Sequence, residues 1–289
     1  MLQRKEETTL YIMLVPYIVG LIGLVLIPSL LSIGLAFTRY DALTAPEWVG
    51  FKNVLRLFSD RLFGIALANT LLYLALAVSL RMMGALCLAL LLQGAGRVVN
   101  AVRSAVFTPT VIPDVAYALV WLVAFNPKWG PVNLFLGAFG LPTPAWVIEP
   151  WPALLALVIM ATWQLGEGFI VLLASLKEIP TGLIEASLLD GANGRQRFWY
   201  VIFPLLLPRF LLLTARDVVV SLQANFVPSL LVTKGGPGYA TLLLPLYTYQ
   251  LAFDDLRFGY AATVVWAMYV ITLFIIIVQY AVSRRWQTS

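Results

Sequence analysis

Five charged side chains stand inside long apolar stretches of the sequence: Arg81, Asp114, Glu167, Arg216 and Asp217. An isolated charge in the middle of a bilayer costs ~2.5 to 3.5 kcal/mol on insertion scales, so each of these groups needs a partner or a wet cavity. Two basic and three acidic groups predict ion pairs between helices, with one carboxylate left over. The same groups would also suit the wall of a path for a polar solute, or a site for a coupling ion.

Polar residues near these charges share helix faces with them. Gln164 and Glu167 are three residues apart, and Asp217, Ser221 and Asn225 recur every four residues, so each set lies on one face of a helix. A sugar needs such hydrogen-bonding groups, with an aromatic ring on which to stack. The pattern leaves open whether these residues contact a solute or only join helices. The candidates for a solute path are Trp163, Gln164, Glu167, Ser221, Asn225 and Phe226.

The composition places these residues in a membrane protein. Of 289 residues, 61% are hydrophobic and 11% are charged, against ~25% charged in soluble domains. The chain has no histidine and one cysteine, Cys87, which excludes an intrachain disulfide and predicts a small buried side chain. We therefore expect no metal site. The net charge of +5 comes without a block of like charges, so nucleic acid is not an expected partner.

Six apolar runs are long enough to cross a bilayer, which takes ~20 residues, and they predict an all-α, polytopic membrane protein. The predicted spans are Leu10–Thr38, Phe63–Leu92, Ser104–Phe125, Pro152–Leu176, Leu205–Val232 and Gly259–Val282. Six crossings put both termini on one side, and the tails and connections on that side hold ten Lys and Arg against seven on the other. The excess predicts that both termini are cytoplasmic.

The connection between the fourth and fifth spans, residues 177–204, has the pattern of two short helices. Apolar residues four apart predict a first helix from Thr181 to Asp190, which Gly191 would end. Asn193 followed by Gln196 fits a capping box that opens a second helix. Such a helix-turn-helix could lie on lipid headgroups or dock onto a cytoplasmic partner. The pattern alone does not decide between them.

This loop resembles the Glu-Ala-Ala loop of permease subunits of binding-protein-dependent ABC importers. The matching positions are Glu185, Ala186, Ser187, Asp190, Gly191, Ala192, Phe198, Ile202, Pro204 and Pro208. Further matches resemble the carbohydrate-uptake branch, of the maltose and glycerol-phosphate type, and extend over most of the chain. They are Asn126-Pro127 with Gly130 and Asn133, Ile179-Pro180, Thr233 to Pro237 and Phe258 to Ala262. Ser187 and Phe203 depart mildly from the family pattern.

The resemblance implies a type I importer transmembrane domain over residues 63–283, with the helix-turn-helix as its coupling loop. Residues 1–62 would hold a cytoplasmic tail, the first span and the first outer loop, and residues 284–289 a cytoplasmic tail. In this family the two short helices dock in a cleft of an ATPase subunit. The implied coupling residues are Glu185, Ala186, Ser187, Asp190, Gly191 and Ala192.

The resemblance also implies the partners: a second permease, two copies of a cytoplasmic ATPase, and an extracytoplasmic binding protein that meets residues 126–151 and 233–258. The chain would be a multi-pass protein of the bacterial inner membrane. It contains no G-x-x-x-x-G-K-[ST] motif. We therefore expect no enzyme activity and no cofactor in this chain, with ATP and Mg²⁺ used by the partner ATPase.

Two other functions fit the apolar composition. An ion-coupled secondary transporter would use Asp114, Glu167 and Asp217 as coupling carboxylates, and an internal repeat of broken helices would favour it. We find no convincing similarity between residues 1–145 and 146–289. A membrane scaffold with an interfacial helix pair is the other possibility. It would not explain why Asp190-Gly191-Ala192 and Thr233 to Pro237 match the permease family.

Overall fold

The computed structural model describes residues 13–287, and side chains as far as residue 281. The start of the first predicted span at Leu10, the basic residues Arg4 and Lys5, and the last two residues of the predicted C-terminal tail lie outside the described residues. Within them, the elements in order are α1 (Met13–Ala36), β1 (Thr38–Arg39), β2 (Glu47–Trp48), α2 (Lys52–Ser59), α3 (Arg61–Leu91), α4 (Arg97–Phe107), α5 (Asp114–Ala124), α6 (Pro131–Ala138), α7 (Pro150–Trp163), α8 (Gly166–Lys177), α9 (Thr181–Leu189), α10 (Gly194–Thr233), α11 (Leu244–Tyr249) and α12 (Phe258–Gln287).

The membrane-crossing elements are four long helices and two bent pairs. Helices α1, α3, α10 and α12 are each long and apolar enough to cross a bilayer. Helices α7 and α8 meet at a bend of 42°, and α4 with the short 3₁₀ turn after it meets α5 at 104°. Counting each pair as one crossing gives the six predicted from the sequence. The fold is all-α apart from one two-residue antiparallel ladder between β1 and β2 in the described part of the chain.

The third and fourth spans are each broken into two helices. Pro113 lacks an amide hydrogen and disfavours helical backbone at Ile112, which is extended with ψ 129°. The other break, after Trp163, brings Gly166 against α4. A Cβ on Gly166 would lie 2.8 Å from Phe107 Cα, so only glycine permits this approach. A hydropathy profile does not reveal either break, because both halves of each span are apolar.

The described chain divides into two units, and the first comprises the residues up to Asp60 with Thr248–Val270. Thr263 Oγ1 donates a hydrogen bond to Ala36 O at 2.9 Å, which ties α12 to the end of α1. Gly259 packs on the same turn, where a Cβ would lie 2.0 Å from Thr38 O. Tyr260 Oη donates to Asp60 at 2.7 Å. The short hairpin, α2 and the start of α12 therefore form one packed structure at the end of α1.

The second unit comprises Arg61–Tyr247 and the residues from Ile271, and its core forms between α3, α8 and α10. Gly168 lets α8 approach α3 so closely that a Cβ would lie 2.8 Å from Met82 Cε. Tyr117 Oη donates to Met160 O at 2.7 Å, which fastens α5 to α7. Cys87 is exposed on α3, so the prediction of a buried cysteine is wrong. An apolar run in a membrane helix does not reveal which side faces the core.

Candidate functional site

A polar cavity of about 230 Å³ lies among the helices of the second unit. Its polar lining residues come from four spans and are Arg81, Thr110, Asp114, Gln164, Glu167, Arg216 and Asp217. All five charges that the sequence places in apolar surroundings therefore meet at one cavity. The two helix breaks contribute to it directly, since Asp114 follows the first break and Gln164 and Glu167 flank the second.

Two ion pairs neutralise four of the five charges, as the sequence predicts. Arg81 Nε lies 3.0 Å from Asp217 Oδ2, with both side chains buried, and a second Arg81 nitrogen donates to Ser221 Oγ. Arg216 Nη2 lies 2.7 Å from Glu167 Oε1, with both side chains about half exposed. Asp114 is the carboxylate left over: no basic group of the described residues pairs with it. These pairs join α3 to α10 and α8 to α10.

The two more open carboxylates of the cavity both stand at helix N-termini. Asp114 stands in the first turn of α5, and Glu167 in the first turn of α8. The unpaired amides and the dipole of a helix N-terminus favour negative charge, by ~0.3 to 1 kcal/mol at exposed positions. The helix breaks thus create the places at which carboxylates are tolerated.

The structure gathers some of the residues predicted for a solute path and separates others from the cavity. Gln164 and Glu167 line the cavity, and Ser221 sits behind it as a partner of Arg81. Trp163 faces instead an apolar cavity of about 490 Å³. Asn225 is 1% exposed, and neither its amide nitrogen nor its oxygen has a hydrogen-bond partner. Phe226 is half buried and is not part of the lining.

One polar lining residue was not predicted from the sequence. Thr110 belongs to the 3₁₀ turn before Pro113 and reaches the cavity because the third span bends there. A Thr-Pro-Thr run before a further proline is a signal for irregular backbone that a search for charged residues does not use.

The loop between the fourth and fifth spans forms the two predicted helical segments. Helix α9 ends at Leu189, and Gly191 has φ +78°, the left-handed conformation that favours glycine. Gly191 N donates to Leu188 O at 3.1 Å and Ala192 N to Ser187 O at 3.0 Å, which together make a Schellman motif. The sequence thus predicts both the helix and its end correctly.

The second segment differs from its prediction in length. Asn193 and Gln196 form the predicted capping box, each side chain bonding the other residue's amide at 2.9 Å. The helix that they open does not stop before the fifth span; it continues as α10 to Thr233. A π-helical turn over Phe198–Ile202 connects the start of α10 directly to the part that contains Pro204. The chain therefore makes no separate turn between the loop and the fifth span.

The surface of α9 and the start of α10 is more apolar than a solvent-facing loop requires. Leu189 is 89% exposed and Tyr200 is 80% exposed, and Leu183, Leu188 and Trp199 are exposed beside them. Glu185 and Asp190 are exposed among these side chains. Ser187, by contrast, is 8% exposed and donates from its hydroxyl to Ile184 O at 2.7 Å. The helix therefore has an inward face and an unpartnered outward face.

The inward face of the loop joins the core of the second unit. Ile184 and Ile202 pack against a buried cluster that includes Phe169 and Leu172 of α8 and Leu206 of α10. Glu178 and Arg209, which stand on opposite sides of the loop, form an ion pair of 2.6 Å. A force applied to α9 would reach α8 and α10 through these contacts.

Bent membrane-crossing helices around a polar cavity, joined by a helical loop with an apolar outward face, are typical of the membrane component of a transport system. The family model for the binding-protein-dependent transport system inner membrane component matches residues 82–288. The chain belongs to this family. It is thus a multi-pass protein of the bacterial inner membrane and a permease component, and membership favours this reading over an ion-coupled transporter or a scaffold.

Relatives with similar sequences span nearly the whole chain. A probable ABC transporter permease, YesP of Bacillus subtilis, is 33% identical over 98% of this chain and 93% of its own. The trehalose/maltose transport system permease MalF of Thermococcus litoralis is 28% identical over 98% and 97%. A crystal structure of a bacterial ABC transporter involved in import of the acidic polysaccharide alginate matches with a TM-score of 0.82, at 26% identity over 97% and 96% of the two chains.

Proposed function

We propose that this chain is one permease subunit of an ATP-driven importer, and that it forms part of the path for a sugar or a related solute delivered by an extracytoplasmic binding protein. The observation that carries the proposal is the helical loop of α9 and early α10, whose outward face is apolar and has no partner in the described residues. The named relatives support the solute class, since one carries trehalose or maltose and another takes part in alginate import.

In this proposal α9 is the coupling helix. Glu185, Ala186 and Asp190 meet the ATPase from the exposed side of the helix, and Gly191 with Ala192 fixes where the helix ends. Ser187 acts from the inward side, where its buried hydroxyl helps to hold α9 against the core. Closure of the ATPase pair would then move α8 and α10 through Ile184 and Ile202. The ion pairs at the cavity would carry that motion to the polar lining.

The proposed assembly has a second permease, two copies of the ATPase and the binding protein. ATP and Mg²⁺ are bound by the ATPase and no cofactor by this chain. None of the most apolar residues of α1 is buried by the rest of the described chain, which leaves this helix free to contact lipid and the second permease. Both termini are cytoplasmic in this proposal. We keep three segments: residues 1–62 for the N-terminal tail, the first span and the first outer loop, residues 63–283 for the permease domain, and residues 284–289 for the C-terminal tail.

The solute path in this proposal includes the polar cavity. Gln164, Glu167 and Asp114 offer hydrogen-bonding groups to a passing solute. Ser221 contributes through Arg81, which it holds in place. Trp163, Asn225 and Phe226 would reach a solute only in a conformation other than the one described. The buried amide of Asn225 lacks any partner here, and a change of state would relieve that cost, which is ~1 to 3 kcal/mol for a buried unsatisfied group.

The binding protein would meet the predicted loops at their exposed positions. Phe253 and Leu256 are exposed in the segment before α12, and Lys128 and Trp129 are exposed before α6. The part of the second predicted loop from Leu242 to Leu246 is mostly buried in the chain and gives no such surface. This restricts docking to shorter stretches than residues 126–151 and 233–258 as a whole.

Glu185→Lys tests the proposal at the coupling loop. A lysine on the exposed face of α9 reverses the charge presented to the ATPase without disturbing the buried side of the helix. We expect the variant to insert normally but to lose solute-stimulated ATP hydrolysis in vesicles that contain the complete transporter, and to lose co-purification of the ATPase.

The matched control is Arg97→Glu, which reverses an exposed charge at the start of α4, on the same predicted membrane face but outside the loop. It should retain both the ATPase partner and stimulated hydrolysis. Normal stimulated hydrolysis by the Glu185 variant would contradict a docking role for α9 and would favour the alternative of a helix lying on lipid.

A further inference from the structure

A second polar cavity, of about 500 Å³, lies in the first unit at the end of α1. It is built from the hairpin of β1 and β2, helix α2 and the start of α12. Three membrane-crossing helices begin or end at these elements, since α1 ends at Ala36, α3 starts at Arg61 and α12 starts at Phe258. The cavity therefore stands at the boundary between the apolar and polar parts of the membrane.

Basic side chains outnumber acidic ones in this cavity. Arg39, Lys52, Arg56 and Arg257 line it, together with two carboxylates. Arg39 pairs with Glu47, and Arg257 Nη1 lies 3.4 Å from Asp255 Oδ2. In the described part of the chain no carboxylate forms an ion pair with Lys52 or Arg56. Among the described residues, these two positive charges therefore have no carboxylate partner.

The nearby carboxylates are already held by other groups. Asp41 Oδ1 accepts from Thr44 N at 2.8 Å, Leu43 N at 3.0 Å and Thr44 Oγ1 at 2.9 Å. The backbone bond from Thr44, followed by that from Leu43 and the Thr44 hydroxyl, lowers the pKa of Asp41 below its usual 3.8. Asp60 accepts from the Tyr260 hydroxyl. The carboxylates of this region are therefore hydrogen-bonded within it, whereas Lys52 and Arg56 line the cavity.

Helix α2 presents its charges and its apolar side chains on different faces. Lys52 and Arg56, four residues apart, both line the cavity. Phe51, Leu55 and Phe58 recur at spacings of four and three and are exposed, with Phe58 86% exposed. A helix with an apolar stripe beside a cationic one lies in the membrane interface, with the apolar side among the acyl chains. Its cations then sit at the depth of lipid headgroups.

The Arg56 guanidinium also packs over an aromatic ring. Its Cζ lies 4.5 Å from the centre of the Tyr260 ring, which restrains the side chain while leaving its N–H groups available. A positioned guanidinium beside a lysine is a suitable receptor for a phosphate, because the guanidinium donates two parallel hydrogen bonds to phosphate oxygens. Trp48, exposed next to the helix, suits the same interfacial depth.

We propose that this cavity binds the phosphate-bearing headgroup of an anionic phospholipid, with Lys52 and Arg56 as its phosphate ligands. The acyl chains would lie along Phe51, Leu55 and Phe58. The site depends only on the first unit and on a bilayer around it, so it is independent of the proposed transport function. Its consequence for the molecule is a lipid that fastens the ends of α1 and α12.

The test is native mass spectrometry of the purified, delipidated full-length protein, titrated separately with phosphatidylglycerol, with phosphatidylcholine and with inorganic phosphate. The wild type should bind phosphatidylglycerol in preference to phosphatidylcholine. Lys52→Gln combined with Arg56→Gln should weaken phosphatidylglycerol binding by about tenfold or more, since each basic group near an anionic lipid surface contributes a few-fold. Arg56→Lys with Lys52 intact should retain most of the preference.

The matched control is Lys128→Gln combined with Lys234→Gln, which removes two exposed positive charges from the connections predicted on the same membrane face. It should bind phosphatidylglycerol like the wild type. An equal loss in this control, or an unchanged preference in the cavity variant, would overturn the proposal. Inorganic phosphate that binds as tightly as phosphatidylglycerol would overturn the lipid as its source.

Discussion

At the scale of single residues, the chain tolerates charges inside the membrane by two different arrangements. Arg81 and Asp217 are buried together and are completed by the Ser221 hydroxyl. Asp114 and Glu167 stand instead at helix N-termini beside a cavity. The first arrangement joins two helices, whereas the second leaves oxygens accessible. The ion pair at Arg81 therefore joins helices, and the open carboxylates are the groups that we propose for the solute path.

The buried pair predicts a strong asymmetry between single and double substitutions. Arg81→Met leaves the Asp217 carboxylate buried without its counter-charge, and removing one partner of a buried pair costs ~3 to 5 kcal/mol. Arg81→Met combined with Asp217→Leu removes both charges and should recover most of that loss. Thermal unfolding of the purified protein in detergent, followed by intrinsic fluorescence, measures both effects.

The control for this prediction is Arg216→Met. Its partner Glu167 is about half exposed, and exposed pairs contribute ~0 to 1 kcal/mol, so the midpoint of unfolding should shift little. A double variant less stable than either single one would mean that Arg81 and Asp217 hold the helices through interactions other than their mutual attraction.

At the scale of elements, local sequence signals predict helix ends better than helix continuity. The end of α9 follows from Gly191 and the start of α10 from Asn193 with Gln196, because each signal acts over one turn. The break in the third span has a local cause in Pro113, whereas the break in the fourth span depends on tertiary contact. Gly166 shows this most clearly, since its requirement comes from the backbone of Phe107, which is distant in sequence. No periodicity in one segment can reveal such a contact.

The same distinction applies to the candidate site. Charge in an apolar run identified all five ionised groups at the cavity, because a membrane makes each of them costly. Burial was not predictable in the same way: Asn225 shares the helix face of Asp217 by spacing, yet it is enclosed while Asp217 reaches the cavity. The spacing of residues along a helix tells which side chains share a face. Whether that face is buried or lines a cavity depends on the neighbouring helices.

The end of α9 allows a matched pair of glycine substitutions. Gly191→Ala places a side chain at φ +78°, which costs ~1 to 2 kcal/mol and should loosen the Schellman motif. Gly182→Ala, inside α9 with open space around its Cα, should be neutral or stabilising by ~0.5 to 1 kcal/mol. Hydrogen–deuterium exchange of residues 181–193 should rise in the first variant and not in the second.

Of these two glycine variants, the one with faster hydrogen–deuterium exchange in α9 should also lose more of its coupling to the ATPase. If the coupling helix transmits force only when its end is rigid, the Gly191 variant will show weaker solute-stimulated hydrolysis than the Gly182 variant. Equal hydrolysis by both, despite faster exchange in the first, would contradict a need for rigidity at this turn.

At the scale of the whole molecule, the proposed function and the distribution of basic residues both bear on which way the chain crosses the membrane. In the proposed function the coupling loop faces the ATP-containing compartment, and an even number of crossings would then place both termini there as well. The charge bias of ten to seven supports this orientation only mildly. The loop between the third and fourth spans and the cavity at the end of α1 would face the opposite side.

The single cysteine makes this orientation directly measurable. Cys87 is replaced by Ser, and one new cysteine is then introduced at Lys128 or at Arg195, both exposed in loops on opposite predicted sides. A membrane-impermeant maleimide applied to intact spheroplasts should label Lys128→Cys, and it should label Arg195→Cys only after the membrane is permeabilised. The Cys87→Ser parent should stay unlabelled, and each variant should still support uptake. Labelling of Arg195→Cys from outside would invert the topology, and it would exclude α9 as the surface that meets a cytoplasmic ATPase.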